Sequence, residues 1–106
     1  MAKFMVKASY SAEGTKGLLK EGGSSRKAMV DKMIKGLGGS VEAFYFAFGE
    51  ADVFVICDLP DSTTAAALSL VINASGAVST STIPLLTVQE IDQACKKSVA
   101  YRAPGA

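Results

Sequence analysis

Residues 40–59 read SVEAFYFAFGEADVFVICDL, and this stretch decides the fold of the chain. Two runs of apolar, β-branched and aromatic residues flank a short polar break, Gly49-Glu50-Ala51-Asp52. Residues of the first kind fit a pleated, half-buried surface, and a glycine beside acidic residues is typical of a tight turn. The stretch therefore predicts an antiparallel hairpin.

Neither face of this hairpin is polar throughout. Side chains alternate between the two faces of a strand, so each arm divides into two sets. In the first arm the predicted sets are Phe44, Phe46 and Phe48 on one face, and Val41, Ala43, Tyr45 and Ala47 on the other. In the second arm they are Val53, Val55 and Cys57 against Phe54 and Ile56. The helices of a small domain cover one side of a sheet, so we expect the other side to contact a partner or to line a pocket.

The size and charge of the chain limit its partners. Its 106 residues make one domain, large enough to bury about two thirds of the surface of the unfolded chain. There are 11 basic and 10 acidic residues, so the net charge is +1 and no strong field attracts nucleic acid or an anionic membrane. The hydrophobic fraction of 49% suits a protein that buries surface in an oligomer. The expected partners are further copies of the chain and a small-molecule ligand, with no nucleic acid and no membrane.

No targeting segment is visible near the N-terminus. Residues 3–10 alternate between polar and apolar types instead of forming a continuous apolar core, and the most apolar later run, residues 65–74, is too short to cross a bilayer. The prediction is a cytoplasmic protein. In that compartment Cys57 and Cys95 are expected to be buried free thiols, with a disulfide or a reactive thiol as the alternatives.

Histidine is absent from the sequence. Its absence removes His-ligated haem, His-containing zinc sites, and Ser-His and Cys-His catalytic pairs. No other cluster of residues has metal-ligand spacing. We therefore predict no cofactor and no protein-ligated metal.

Local patterns place the elements before the hairpin. Alternation predicts a strand over residues 3–10, with Phe4, Val6, Ala8 and Tyr10 on one face and Lys3, Met5, Lys7 and Ser9 on the other. A helical turn is expected over residues 15–20, broken at Gly22-Gly23. A helix is then expected from Ser24, with Ser24 or Ser25 as its N-cap and Gly38-Gly39 as its end.

Similar signals place the elements after the hairpin. Asp61 is expected to cap a helix that runs to about Ser75, with Leu68, Val71 and Ile72 on its buried side. Residues 77–86 predict a fourth strand, in which Pro84 indicates a sheet edge because it lacks a backbone donor. Residues 87–90 form a capping-box pattern, so a last helix is expected over residues 88–97, before a tail over residues 101–106. This order gives an α+β, ferredoxin-like β-α-β-β-α-β core with a C-terminal helix, as a single domain over residues 1–100.

Three stretches resemble the GYD-domain family: residues 17–24 (GLLKEGGS), residues 42–49 (EAFYFAFG) and residues 65–70 (AAALSL). The resemblance implies membership of the dimeric α/β-barrel superfamily, in which two ferredoxin-like sheets pack face to face as a barrel. The glycine-tyrosine-aspartate signature of the family falls at the hairpin turn. This chain keeps Gly49 and Asp52 there but has Ala51 where the tyrosine is expected. The resemblance implies an architecture and little chemistry.

The most suggestive local stretch for binding is residues 22–27, GGSSRK. Glycines before a helix let backbone N–H groups approach a ligand, the helix N-terminus favours an anion, and Arg26 supplies a bidentate donor. Our hypothesis is that a small carboxylate or phosphate group binds near Ser24, Ser25 and Arg26. The alternative is a glycine break, a serine cap and solvated charges, since the stretch matches no complete phosphate-loop pattern.

Four side chains on the predicted strands are further ligand-binding candidates. If the face that carries Lys7 and Ser9 lines a space between two sheets, Lys7 is partly desolvated, as a lysine that acts as an acid or a base must be. The alternative is an ion pair between Lys7 and a carboxylate such as Glu42 across the interface. Tyr10 and Tyr45 could donate hydrogen bonds to a bound carbonyl or phenol, or could be packing residues.

Three functions follow from these features. The first is a homo-oligomer that binds a small organic ligand, with an anionic ligand as one option, in a cavity of the barrel. The second is a cofactor-independent monooxygenase, isomerase or cyclase, with Lys7, Tyr10, Arg26 and Tyr45 as its candidate residues. The third is a purely structural assembly protein. A closed cavity with a titratable group of shifted pKa would favour the enzyme, a cavity without one would favour binding, and a filled core would favour assembly.

Overall fold

Four strands and four helices follow one another along the chain, and the computed structural model describes all 106 residues. In chain order they are β1 (Ala2–Tyr10), α1 (Ala12–Glu21), α2 (Gly23–Gly36), β2 (Ser40–Phe46), β3 (Val53–Leu59), α3 (Ser62–Ala74), β4 (Val78–Leu85) and α4 (Val88–Cys95). The strands form one antiparallel sheet in the order β2-β3-β1-β4. This confirms the α+β class and the predicted hairpin, and it is consistent with a ferredoxin-like fold.

The core lies between one face of the sheet and the helices. Alternate residues of β1 and β3 are buried there, as predicted, together with Ile34 of α2 and Leu68 of α3. Cys57 and Leu59 are fully buried at the centre of this layer. The strict alternation of both central strands follows from their position, because each has hydrogen-bonded neighbours on both sides and helices over one face.

A bulge in β2 changes one of the predicted faces. Val41 pairs with Cys57, whereas Ala43 pairs with Ile56, so the register shifts by one residue at Glu42. Val41 therefore joins the helix side of the sheet, and the prediction that it shares a face with Ala43 is wrong. A bulge inserts one extra residue into a strand and reverses the side on which the preceding residues point.

The strand also ends earlier than its apolar pattern predicts. β2 stops at Phe46, and Phe48 lies in the following loop with its side chain fully exposed. The prediction that Phe48 shares the face of Phe44 is therefore wrong. Phe44 and Phe46 do contact each other, with ring centroids 5.3 Å apart in an edge-to-face arrangement.

The first two helices are joined by a single residue. α1 is longer than the predicted turn, and Gly22, with φ of +86°, separates it from α2. The Gly22 N–H donates to the Leu18 carbonyl at 2.7 Å, and the Gly22 carbonyl accepts from the Arg26 N–H at 3.3 Å. No side chain caps α2, so the prediction that Ser24 or Ser25 is its N-cap is wrong. The left-handed glycine places both serines inside the first turn of the helix instead.

The later helix signals are confirmed with two exceptions. Asp61 caps α3, and Thr87 and Glu90 form the predicted capping box at the start of α4. Val71, however, is exposed, because the buried side of α3 follows Ala65 and Leu68 and Val71 lies on its outer flank. The prediction that Cys95 is buried is also wrong: its thiol is free but exposed, while Cys57 is free and buried.

The Asp61 cap makes a contribution to stability that depends on pH. Its carboxylate accepts hydrogen bonds from the Thr64 hydroxyl at 2.7 Å and the Thr64 N–H at 2.8 Å. These bonds lower the pKa of Asp61 below its ordinary value, the hydroxyl having the larger effect. A carboxyl group with a lowered folded-state pKa stabilises the fold fully above its unfolded pKa of about 3.9, and this contribution is lost as the pH falls through the folded value.

We therefore expect the wild type to lose stability relative to Asp61→Asn as the pH is lowered from 5 to 2. Asparagine also caps helices but does not titrate, so it serves as the matched reference. Urea unfolding midpoints of the two proteins at both pH values measure the difference. An identical difference at pH 5 and pH 2 would show that the cap does not titrate in this range.

Candidate functional site

The sheet has one face that no helix covers. This open face carries the residues of β1 and β3 that point away from the core, with neighbours from both edge strands, and most of them are partly exposed. The strand register aligns an apolar row across all four strands: Ala43, Ile56, Met5 and Ile83. The next row is mixed and contains Tyr45, Phe54, Lys7 and Ser81. The prediction that the hairpin has two apolar faces is thus confirmed at its second arm, where Phe54 and Ile56 lie on the open face.

A charged cluster borders the apolar row. The Lys3 ammonium lies 2.7 Å from Glu42 Oε1 and 3.1 Å from Asp58 Oδ1. Hydrogen bonds to Glu42 and then to Asp58 raise the pKa of Lys3. Within the chain Glu42 therefore pairs with Lys3, and a pairing of Lys7 with Glu42 across an interface stays a prediction. The bulge at Glu42 helps this contact, because it displaces that residue from the regular alternation.

The largest depression on the helix side is a cleft of about 440 Å³. It lies between α1, the start of α2 and the loop that follows β2. Its lining residues are Tyr10, Thr15, Leu18, Gly23, Phe46, Ala47, Phe48 and Asp52. The lining is mainly apolar and aromatic, and the cleft is open to solvent. We call it the aromatic cleft.

Gly23 brings the Phe46 ring against the start of α2. A Cβ atom at residue 23 would lie 3.0 Å from Cε2 of Phe46, a distance that real Cβ contacts rarely show. The glycine therefore lets the ring form one wall of the aromatic cleft. Phe46 remains 40% exposed, so much of its ring is available to a ligand.

Asp52 ties the loop wall of the cleft to the end of β1. Its Oδ2 accepts from the Tyr10 N–H at 2.8 Å, and its own N–H donates to the Ala8 carbonyl at 2.8 Å. Its carbonyl accepts from the Ala47 N–H at 2.8 Å. These three bonds fix the loop on both sides of residue 52. Asp52 therefore has a structural role, in agreement with the predicted turn at residues 49–52.

The space enclosed between sheet and helices is small. The cavity there has a volume of about 40 Å³ and is lined by core residues such as Val6, Phe44 and Leu68. That volume suffices for a few water molecules and is too small for an organic ligand. The pocket is also partly open to solvent.

The residues predicted to bind a ligand fall into two groups on opposite sides of the sheet. Lys7, Ser9 and Tyr45 belong to the open face, where the Ser9 hydroxyl donates to the Glu50 carbonyl at 3.2 Å. Tyr10 and Arg26 lie together on the helix side. Ser24 and Ser25 are exposed on the first turn of α2. No single site contains all seven.

Tyr10 and Arg26 meet at a crevice of about 210 Å³ between α1 and the sheet. Glu13 and Glu21 line the same crevice. Arg26 takes part in none of the four ion pairs of the chain, and Glu13 pairs with Lys16 at 3.8 Å instead. Two nearby negative charges oppose the binding of an anion, so they count against an anion site at Arg26, which stays a prediction.

Of the residues that line the aromatic cleft, Tyr10 was among the predicted ligand-binding residues, whereas Leu18, Phe46 and Phe48 were not. Leu18 stands in a glycine-rich stretch, and Phe46 and Phe48 were assigned to a continuous strand face. One available signal was the glycine after Phe48, which favours an early end to the strand and an aromatic side chain in the loop. None of the helices combines the length and the apolar character that a bilayer crossing requires.

Comparison with known families gives one match. The family model for the GYD domain matches residues 4–95, from the first strand to the end of α4. No curated protein and no solved structure is significantly similar to the chain.

Proposed function

This chain belongs to the GYD-domain family, and we propose that it is a homodimer that binds a small organic molecule in the aromatic cleft of each copy. The observation that carries the ligand proposal is the cleft itself. Its volume of about 440 Å³ falls in the range of small-molecule sites, about 300 to 1,000 Å³. Its wall combines exposed aromatic rings with few polar groups, which is typical of such sites.

The exposed ring of Phe48 is the strongest argument that a ligand binds in the cleft. Its side chain is fully exposed and packs on no other part of the chain. A ligand between Phe46 and Phe48 would remove both rings from water, and burial of apolar area is the main favourable term in such binding. Tyr10 lines the same cleft and offers a hydroxyl that forms no hydrogen bond within the chain.

The chemistry around the cleft favours binding over turnover. The lining of the cleft is mainly apolar and aromatic, with Tyr10, Thr15 and Asp52 as the polar members. Asp52 is held by hydrogen bonds to the end of β1 and to the loop, so its carboxylate already has a structural role. The thiol of Cys57 lies in the core, where burial raises its pKa.

The open face supports the dimer part of the proposal. Its apolar row, Ala43, Ile56, Met5 and Ile83, would lie in water in an isolated copy. A second open face packed on it would bury both rows, and the two ferredoxin-like sheets would form a dimeric α/β barrel. Lys7, Ser9 and Tyr45 would then line the space between the sheets.

A second candidate, a purely structural assembly protein, is favoured by the filled core. The core pocket of about 40 Å³ is too small for an organic ligand, so only the open cleft distinguishes the two functions. Measurement of ligand binding at that cleft decides between them.

We expect Phe48→Ser to weaken ligand binding at least fivefold without lowering thermal stability, because the ring contacts no other part of the chain. Suitable probes are the fluorescent anion 1-anilinonaphthalene-8-sulfonate, together with benzoate and benzyl alcohol observed by saturation-transfer NMR. Comparison of benzoate with benzyl alcohol tests the preference for an anion.

The matched control is Leu19→Ser, which removes a side chain that is 82% exposed on α1 and does not line the cleft. It should leave binding unchanged. Equal binding by the wild type and both variants would show that the probes bind outside the aromatic cleft. Structural assembly would then remain as the function. No binding of any probe to the wild type would have the same consequence.

A further inference from the structure

The C-terminal arm, defined here as residues 86–101, is exposed along its whole length, and only its first residues, at a crevice beside the start of β1, approach the rest of the chain. Every residue from Leu86 onward is exposed. The molecule measures 56 × 33 × 23 Å, and its radius of gyration is 16.9 Å, whereas a compact chain of this length has about 13 Å. The arm therefore projects from the domain.

The arm nevertheless contains a formed amphipathic helix. In α4, Val88, Ile91 and Cys95 follow the i, i+3, i+7 spacing that places side chains on one side of a helix. Gln89 and Gln93 lie on the other side. The capping box fixes the first turn, with the Glu90 N–H donating to Thr87 Oγ1 at 3.1 Å and the Thr87 N–H donating to Glu90 Oε1 at 3.0 Å.

The exposed apolar side of α4 requires a packing partner, because a helix this short is not stable in water by itself. Val88 is 74% exposed and Ile91 is 47% exposed. An isolated helix of eight residues is below the length that is stable in water, and most helices depend on packing of their apolar side. Because α4 packs on nothing in its own chain, the cover must come from another molecule.

Charge does not favour a highly charged partner for the arm. Its acidic residues are Glu90 and Asp92 and its basic residues are Lys96 and Lys97, so their charges cancel. The chain as a whole carries only +1. A strongly acidic or basic partner would find no complementary field, whereas a second copy of this nearly neutral chain meets no repulsion.

The arm is also continuous with the open face. It follows directly from β4, whose residues Ile83 and Leu85 pair with Met5 and Lys3 in the open-face register. Any copy that covers the open face therefore lies next to the start of the arm.

The area of the open face can be compared with the area that a specific dimer interface buries. Four strands of about seven residues span roughly 450 Å² in projection, from a strand spacing of about 4.8 Å and a rise of about 3.3 Å per residue. Specific interfaces bury about 800 Å² per partner. The accessible area of the face is larger than its projection because side chains stand out from the sheet, so the sheet contact is that of a small specific interface, and a docked arm would enlarge it.

We propose that the C-terminal arm packs through Val88, Ile91 and Cys95 against a second copy of this chain and extends the interface between the two sheets. The inference rests on the proposed dimer and identifies a second part of its interface. Each copy would contribute one arm, so that the arms exchange between the two protomers.

The Cys95 thiol reports directly on the position of the arm. It is the one exposed thiol, since Cys57 is fully buried. Reaction with 5,5′-dithiobis(2-nitrobenzoate) is followed across protein concentrations that take the wild type from monomer to dimer, as fixed by sedimentation equilibrium. We expect Cys95 to react at least tenfold more slowly in the dimer.

Sedimentation equilibrium of Ile91→Asp, with Gln93→Asp as the matched control on the opposite side of α4, completes the test. Ile91→Asp should raise the dimer dissociation constant at least tenfold and abolish the protection of Cys95, and Gln93→Asp should do neither. A wild type that stays monomeric at all concentrations would overturn the proposed dimer and the arm contact together.

Two other results would overturn the arm contact alone. One is a stable wild-type dimer in which Cys95 reacts as fast as in the monomer and Ile91→Asp has no effect. The other is protection of Cys95 that persists in the monomer, which would show that the arm folds back on its own chain.

Discussion

Replacement of Ile56 by aspartate is expected to convert the proposed dimer into a folded monomer. Ile56 lies in the middle of the open face, paired with Met5 of β1 and with Ala43 of β2. In the proposed dimer its side chain contacts the other sheet, where a carboxylate would be buried without a partner. An uncompensated buried charge costs roughly 3 to 5 kcal/mol, and two copies enter each dimer. The dissociation constant should therefore rise by at least about a thousandfold, at 1.4 kcal/mol per factor of ten.

Sedimentation equilibrium measures the dissociation constant, and circular dichroism verifies that the variant is folded. The matched control is Leu70→Asp, which introduces the same charge at a leucine that is 71% exposed on α3, on the helix side of the sheet. That variant should remain a dimer. A dimeric Ile56→Asp protein would exclude the open face as the interface, and dissociation of Leu70→Asp would move the interface to α3.

Replacement of Gly39 by alanine is expected to lower the free energy of unfolding by about 3 kcal/mol. A Cβ atom at this position would collide with the Asp58 carbonyl oxygen, and it would lie 3.0 Å from Leu59 Cδ2 and 3.1 Å from Ile34 Cγ2. Leu59 and Ile34 are buried in the core, and the carbonyl belongs to β3, so none of the three can move freely. The added methyl must therefore separate β2 from β3 or shift the end of α2. Urea unfolding followed by circular dichroism measures the change.

Gly17→Ala is the matched control for this substitution. Residue 17 lies inside α1, and a Cβ atom there would contact nothing within 4 Å. Alanine should raise the free energy of unfolding by up to about 1 kcal/mol, because it has the higher helix propensity. Equal effects of the two substitutions would show that the close approach at Gly39 is relieved by a small backbone movement.

The elements that sequence analysis placed correctly have strong local signals. The alternation of residues 3–10 and 53–59 fixes both central strands, and the Asp61 and Thr87 caps fix the starts of α3 and α4. Each signal lies within a few residues of its consequence. The bulge at Glu42 has no such signal, since Val41 and Ala43 fit either face, and only the pairing with Cys57 and Ile56 shows which side each one takes.

The candidate site was less accessible to sequence analysis, for a related reason. The aromatic cleft joins Leu18 of α1 with Phe46 and Phe48, which are almost thirty residues away in the chain. No periodic pattern links such distant segments. The meeting of Tyr10 with Arg26 is likewise a consequence of helix packing. Ser24 and Ser25 were misplaced because Gly22 starts α2 without a polar cap, so the local serine signal had no structural counterpart.

The single-residue joint at Gly22 has a consequence for the ligands that the cleft accepts. α1 buries none of its residues, so little apolar contact opposes its movement away from the sheet. Gly22 has no neighbouring atoms that a Cβ would meet, so a pivot at this residue would break its two backbone hydrogen bonds, to Leu18 and from Arg26, but meet no steric barrier. Thr15 and Leu18 would then swing outward while Phe46 and Asp52 stay fixed by β2 and β1. In the proposed ligand site one wall would thus be rigid and the other adjustable, which would suit recognition of a family of related compounds of differing bulk rather than one molecule of fixed shape.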